Sequence, residues 1–170
     1  MARRRFSRAR HVVPFRAGEP VSARAAVAKD PAALVATALG ALRDQALRAM
    51  DAAYAPYSGF RVGAALLGVD GSIASGCNVE NASYPAGVCA ERVALGSAVA
   101  GGVRQFLAIA IATEAQEPTP PCGICRQALV EFAPDLVVLS VTRGGREARW
   151  SLADLLPHAF TPHSLDHSRH

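Results

Sequence analysis

The chain has 170 residues, 51% hydrophobic and 19% charged, which fits one domain with appended tails and excludes a wholly disordered chain. No apolar run reaches the roughly 18 residues of a membrane span, so no membrane segment is expected. The net charge of +4 is unevenly placed: residues 1–30 carry eight basic and two acidic side chains, the other 140 ten and twelve. A body of net charge −2 lacks the broad positive surface that tracks a phosphate backbone, so nucleic acid is not an expected partner.

Residues 1–30 read as a disordered basic tail. Arg and Ser with almost no acid leave a transit peptide or a nucleic-acid-binding arm open, while the missing apolar centre excludes a secretory signal. Asp30-Pro31 supplies an N-cap and a first-turn proline. Leu34, Leu39, Leu42, Ala46 and Met50 then mark a helix over 32–53, which Tyr54-Ala55-Pro56-Tyr57-Ser58-Gly59 breaks. Strands are predicted over 60–69 and 72–79 around an Asp70-Gly71 hairpin turn. A helix from Cys89 to Gly101-Gly102, a strand over 106–112 and a helix over 122–132 follow. Strands over 136–142 and 147–150 are joined at Gly144-Gly145, and a short helix over 151–156 ends the order. This α-β-β-α-β-α-β-β series predicts an α/β fold, a mixed five-stranded sheet between helical layers. The body runs over 31–160, with 161–170 as a C-terminal tail.

Cys122-Gly123-Ile124-Cys125 places two sulfurs at one helix start, and Cys89 opens the other helix 33 residues earlier. Two helix N-termini facing each other would bring three thiols to one point, where the positive dipole ends favour thiolate, the form that binds zinc. Three protein ligands leave the fourth tetrahedral position open, as in catalytic rather than structural zinc sites. Cys77, at the end of a strand, is expected to be a buried inert thiol, with a fourth ligand as the alternative. A C-x-x-C alone also fits a redox pair. Cys89-Ala90-Glu91 argues for the enzyme: an acid two residues after a ligand serves a metal-activated water, which must lose a proton, and serves no structural site.

The C-x-E and P-C-x-x-C elements resemble those of zinc-dependent deaminases, in which a non-ligand glutamate moves protons. Within that group the body resembles the small cytidine deaminases. The likeness runs from about residue 54 to 160 and includes Tyr54-Ala55-Pro56-Tyr57-Ser58, Phe60-Arg61-Val62-Gly63-Ala64-Ala65-Leu66, Asn78-Val79-Glu80-Asn81-Ala82-Ser83-Tyr84 and Leu155-Leu156-Pro157-His158-Ala159-Phe160. The resemblance implies a three-layer α/β/α cytidine deaminase-like fold and one Zn²⁺ per chain on Cys89, Cys122 and Cys125. Glu91 is implied as the catalytic proton shuttle and Arg92 as a hydrogen-bond partner of the thiolates. It further implies Asn78 and Glu80 on the ribose, Phe60 on the base or sugar, and Ala90 and Pro121 lining the base pocket. Ala82, Tyr84 and Phe160 match positions that reach a neighbouring subunit's site in a homotetramer. Arg126 is read as a surface ion pair or a partner of the site.

The implied reaction is hydrolytic deamination of cytidine and deoxycytidine to uridine and deoxyuridine plus ammonia, in cytoplasmic pyrimidine salvage. The rivals are a deaminase of the antibiotic blasticidin S, a nucleic-acid cytosine deaminase and a non-catalytic zinc-stabilised binding module. The Asn-x-Glu-Asn element, the acidic body and the intact Glu91 respectively weigh against them.

Overall fold

The computed structural model describes residues 30–165; residues 1–29 of the basic tail expected over 1–30 and the last five residues lie outside the described residues. Helix α1 (Pro31–Asp51) starts where Asp30 caps it, its carboxylate accepting from Ala33 N–H at 3.0 Å. Strands β1 (Val62–Gly68) and β2 (Ile73–Cys77) form an antiparallel hairpin whose turn is set by Gly71 at φ +82°. Asp70 steadies that turn by accepting from the Ser72 N–H and hydroxyl.

Helix α2 (Ala90–Ala100), strand β3 (Phe106–Thr113), helix α3 (Gly123–Val130), strands β4 (Val137–Thr142) and β5 (Glu147–Ser151), and the one-turn helix α4 (Leu152–Leu155) complete the series. The ends differ from the sequence reading by one or two residues. Both strands of the hairpin are shorter than expected, because Phe60 and Arg61 and then Asn78 and Val79 leave the ladder to build loops at its open end. The segment from Asn78 to Glu80, expected as strand, is held by isolated bridges of Val79 to Tyr54 and Val88.

The sheet order is β2-β1-β3-β4-β5, with β3 and β4 parallel and the other neighbours antiparallel. This is the expected mixed five-stranded sheet in an α/β/α sandwich. Leu42, Ala46 and Met50 of α1 cover one face, against Ala65, Leu67, Ala108, Ala110, Leu139 and Val141. Helices α2 and α3 cover the other, where Ala94, Leu95 and Leu129 meet Leu66, Ile109, Ile111 and Val138. Strand β3 is an unbroken apolar run because its alternate residues serve opposite cores.

Topology places the site. Strands β2 and β3 are both antiparallel to β1 and so point the same way. The helices that follow them, α2 and α3, therefore begin at the same edge of the sheet. Both crossovers advance in the same direction across the sheet, and right-handed connections put both helices on one face. The two helix N-termini meet at the carboxyl ends of parallel strands, where ligands bind in open α/β sheets.

Two glycines permit the close packing of helix on sheet. A Cβ on Gly63 would lie 2.0 Å from the Ala46 carbonyl oxygen and 2.3 Å from the Met50 nitrogen of α1. A Cβ on Gly76 would lie 2.5 Å from the Ala94 nitrogen and 2.6 Å from the Ala90 oxygen of α2. Both obstacles are backbone and have no rotamer by which to move aside. Gly63→Ala is expected to cost roughly 3 kcal/mol by forcing α1 off the sheet. Gly40→Ala, at an exposed helical position with nothing within 4 Å, should gain up to about 1 kcal/mol. Urea unfolding of the two variants checks this; equal and small effects would show that the α1–β1 contact tolerates a methyl group.

Candidate metal centre and substrate cavity

Cys89 and Cys122 are the N-cap residues of α2 and α3, and Cys125 lies in the first turn of α3. The three Sγ atoms lie within 4.8 Å of one another, with Cys89 and Cys122 at 3.9 Å. Thiolates held tetrahedrally about 2.3 Å from one zinc ion sit roughly 3.8 Å apart, so the cluster has the dimensions of a zinc site before any metal is considered. Among the described residues no histidine or carboxylate joins the group. Cys77 is separate: its thiol donates to the Ala52 carbonyl at 3.5 Å. It is half-buried rather than buried, because it sits at the last position of β2, on an edge strand.

The electrostatics suit a cation. A hydrogen bond from the Cys125 thiol, with help from Arg92 and Cys122, lowers the Cys89 thiol to about 5 against the opposing effect of burial. Cys125 is pushed the other way, because its proton is held by the Cys89 sulfur and because it is buried. The neighbours of Cys89 thus favour its thiolate, the form that binds a divalent cation. Arg92 donates to the Gly87 carbonyl at 3.3 Å. Its Nε is buried without a hydrogen-bond partner, and its charge lies close enough to Cys89 and Cys125 to favour their ionised forms.

Glu91 is 4% exposed, and burial raises its carboxyl above the usual carboxylate range. It lines a cavity of about 220 Å³ together with Cys89, Cys122, Ser58, Phe60, Asn78 and Glu80. A second cavity of about 350 Å³, lined by Tyr57, Tyr84 and Gly87 among others, shares Ser58 and Glu80 with the first. Phe60, Asn78 and Glu80 are thus brought to the same cavity as the thiols and Glu91, and Tyr84 to the adjoining one. Ala90, the first residue of α2, is fully buried and lines neither cavity. Pro120 lines the cavity, whereas Pro121 is buried and its carbonyl accepts from Arg126 Nε at 2.7 Å. Ala82 and Phe160 are exposed and line neither cavity.

The polar residues of the cavity also build it. The Asn78 amide accepts from Val62 N–H at 2.8 Å and donates to the Phe60 carbonyl at 2.9 Å, fixing the backbone that carries Phe60. Glu80 accepts from the Tyr57 and Ser58 N–H groups at 2.8 and 3.2 Å and from the Ser58 hydroxyl. Those bonds hold its carboxyl below the usual range, so it stays ionised. Sequence reasoning missed Thr119, whose carbonyl accepts from the buried Ser140 hydroxyl at 2.9 Å and which lines the cavity. A serine in the apolar run of β4 was the available signal. Arg126, read as a surface ion pair or a partner of the site, donates to the Pro121 and Leu155 carbonyls and so ties the approach to Cys122 to the end of α4.

Three comparisons agree with this geometry. Residues 38–141 match the family model described as the cytidine and deoxycytidylate deaminase zinc-binding region. A cytidine deaminase of Halalkalibacterium halodurans is 45% identical over 72% of this chain and 93% of its own length. The crystal structure of cytidine deaminase from Burkholderia pseudomallei aligns at TM-score 0.69 with 50% identity, covering 71% of this chain and 98% of that one. The Mycobacterium tuberculosis cytidine deaminase structure aligns at TM-score 0.63 with 39% identity over 72% of this chain and 96% of that one. With three thiols spaced for one zinc ion and an acid at their side, the chain belongs to the cytidine and deoxycytidylate deaminase zinc-binding family and is a zinc-dependent hydrolytic deaminase.

Proposed function

We propose that the chain hydrolyses cytidine and deoxycytidine to uridine and deoxyuridine with release of ammonia, as a step of pyrimidine salvage in the cytoplasm. The observation that carries this reading is a buried carboxyl, Glu91, in one cavity with the thiol cluster and with Asn78 and Glu80. The relatives named cytidine deaminases support the choice of nucleoside. Residues 31–160 form the catalytic unit in this reading.

Cys89, Cys122 and Cys125 would hold a zinc ion, which would supply Lewis acidity toward a water molecule. Glu91 accepts a proton from the attacking water and delivers it to N3 of the cytosine ring while the water oxygen bonds to C4. Glu91 then transfers the remaining hydroxyl proton to the amino group. The C4–N bond breaks, ammonia leaves, and the oxygen becomes the C4 carbonyl of uracil. Burial suits Glu91 to the first of these transfers, since a carboxyl raised above its usual range takes a proton from water more readily. Arg92 offsets part of the −1 charge that three thiolates and a divalent cation would leave.

Glu80, ionised and able only to accept, pairs with a ribose hydroxyl and disfavours a 5′-phosphate. Asn78 contributes by holding Phe60 against the base or sugar, with the Ala90 backbone beside the base pocket and Pro120, in place of Pro121, as its wall. Ala82, Tyr84 and Phe160, all exposed in the single chain, reach the site of a neighbouring subunit in a homotetramer.

Glu91→Gln is expected to hold one zinc per chain, like the wild type, and to lose at least about 10²-fold in kcat. Metal analysis and the ultraviolet change from cytidine to uridine check both points. Zinc without wild-type turnover of cytidine or deoxycytidine would overturn the substrate. Cys125→Ala should fall well below one zinc per chain and melt at a lower temperature; a full zinc complement in that variant would remove Cys125 from the ligand set.

A further inference from the structure

Two side chains directly after Cys125 reach into the C-terminal segment. Arg126 donates to the Leu155 carbonyl at 2.9 Å. Gln127 makes a two-way bridge to the backbone of Phe160: its Nε2 donates to the Phe160 carbonyl at 2.6 Å and its Oε1 accepts from the Phe160 N–H at 3.3 Å. Phe160 follows α4 in a stretch outside helix and strand, and it is 57% exposed. Among the described residues, both of its backbone groups are satisfied by Gln127.

This arrangement is physically unusual. An exposed phenylalanine on an irregular segment has no packing to hold it, and ordering it costs conformational entropy. The primary amide of Gln127 carries both a donor and an acceptor, so it acts on Phe160 as a neighbouring strand would. Asn is one methylene shorter, and Glu at neutral pH has no donor. The backbone of Phe160 is therefore fixed while more than half of the residue stays exposed, the condition of a contact prepared for another surface.

We propose that Gln127 is a positioning residue that sets Phe160 as a preorganised aromatic contact for the cavity of a second copy of this chain. The inference rests on the reading that Phe160 reaches a neighbouring site. Phe160 in that place would touch bound nucleoside and not the reacting atoms. Loss of the bridge then weakens substrate binding, because Phe160 must be ordered at each binding event, and leaves the chemical step alone.

The test compares wild type, Gln127→Ala, Gln127→Glu, Phe160→Ala and the Phe160→Ala/Gln127→Ala double variant in zinc content, molecular size, and kcat and KM for cytidine. Gln127→Ala should keep its zinc, raise KM by about fivefold to tenfold and hold kcat within about twofold. In the Phe160→Ala background the same change should add less than about twofold, since there is no ring left to position. Gln127→Glu, which sets a carboxylate oxygen against the Phe160 carbonyl where Nε2 donated, should raise KM at least as much as Gln127→Ala, and it carries the test if the alanine variant does not fold. An equal KM effect in both backgrounds, or a fall in kcat at unchanged KM, would show a merely structural role and overturn the inference. Phe160→Ala with unchanged KM would overturn the reading of Phe160 and this inference together. A raised KM in Phe160→Ala with none in either Gln127 variant would overturn the inference alone.

Discussion

The site depends on two helices beginning at one place. Three sulfur atoms within 4.8 Å cannot come from a single C-x-x-C, so a second chain segment must deliver Cys89 to the start of α3. Parallel alignment of β2 and β3 across the intervening β1 does this, by starting α2 and α3 at the same edge of the sheet and on the same face. Gly76 sets the depth of the approach, since any side chain there would strike the backbone of α2 within two turns of Cys89. Glu91 is carried in on the same turn, which buries its carboxyl without any dedicated pocket of its own.

Charge explains why the neighbours of the thiols are what they are. Three thiolates crowded together repel one another, and hydrogen bonds from its neighbours favour the ionised form at Cys89. Two helix N-termini and the Arg92 guanidinium all favour negative sulfur, and a divalent ion completes the balance. The acid beside the cluster is shifted in the opposite sense by desolvation. One small region therefore holds a thiol driven toward ionisation and a carboxyl driven toward protonation, a separation that suits metal binding on one side and proton transfer on the other.

Much of the polar chemistry around the cavity serves loop backbone. Asn78 pairs with the backbone at 60 and 62, Glu80 with 57 and 58, Ser140 with 119, Arg126 with 121 and 155, and Gln127 with 160. Each replaces a strand or helix partner that an irregular segment lacks. The loops that help wall the cavity are thus held by side chains from elsewhere in the fold.

The periodicity of α1, the Asp70-Gly71 turn, the apolar run of β3 and the C-x-E and C-x-x-C pair were legible in the chain, because each depends on residues a few positions apart. From them the sequence by itself determined the element order, the mixed five-stranded sheet, the three cysteines that cluster and the glutamate beside them. It could not show that Asn78 and Glu80 lie outside β2, since alternation looks the same whether or not a partner strand continues. Nor could it show that Gly63 and Gly76 admit helices on opposite faces, that Pro120 rather than Pro121 walls the cavity, or that Gln127 holds Phe160 from 33 residues away. These are contacts between segments distant in sequence. Spacing along the chain does not encode them, and only the packed sheet, with its helices pressed to backbone contact, decided which side chains met.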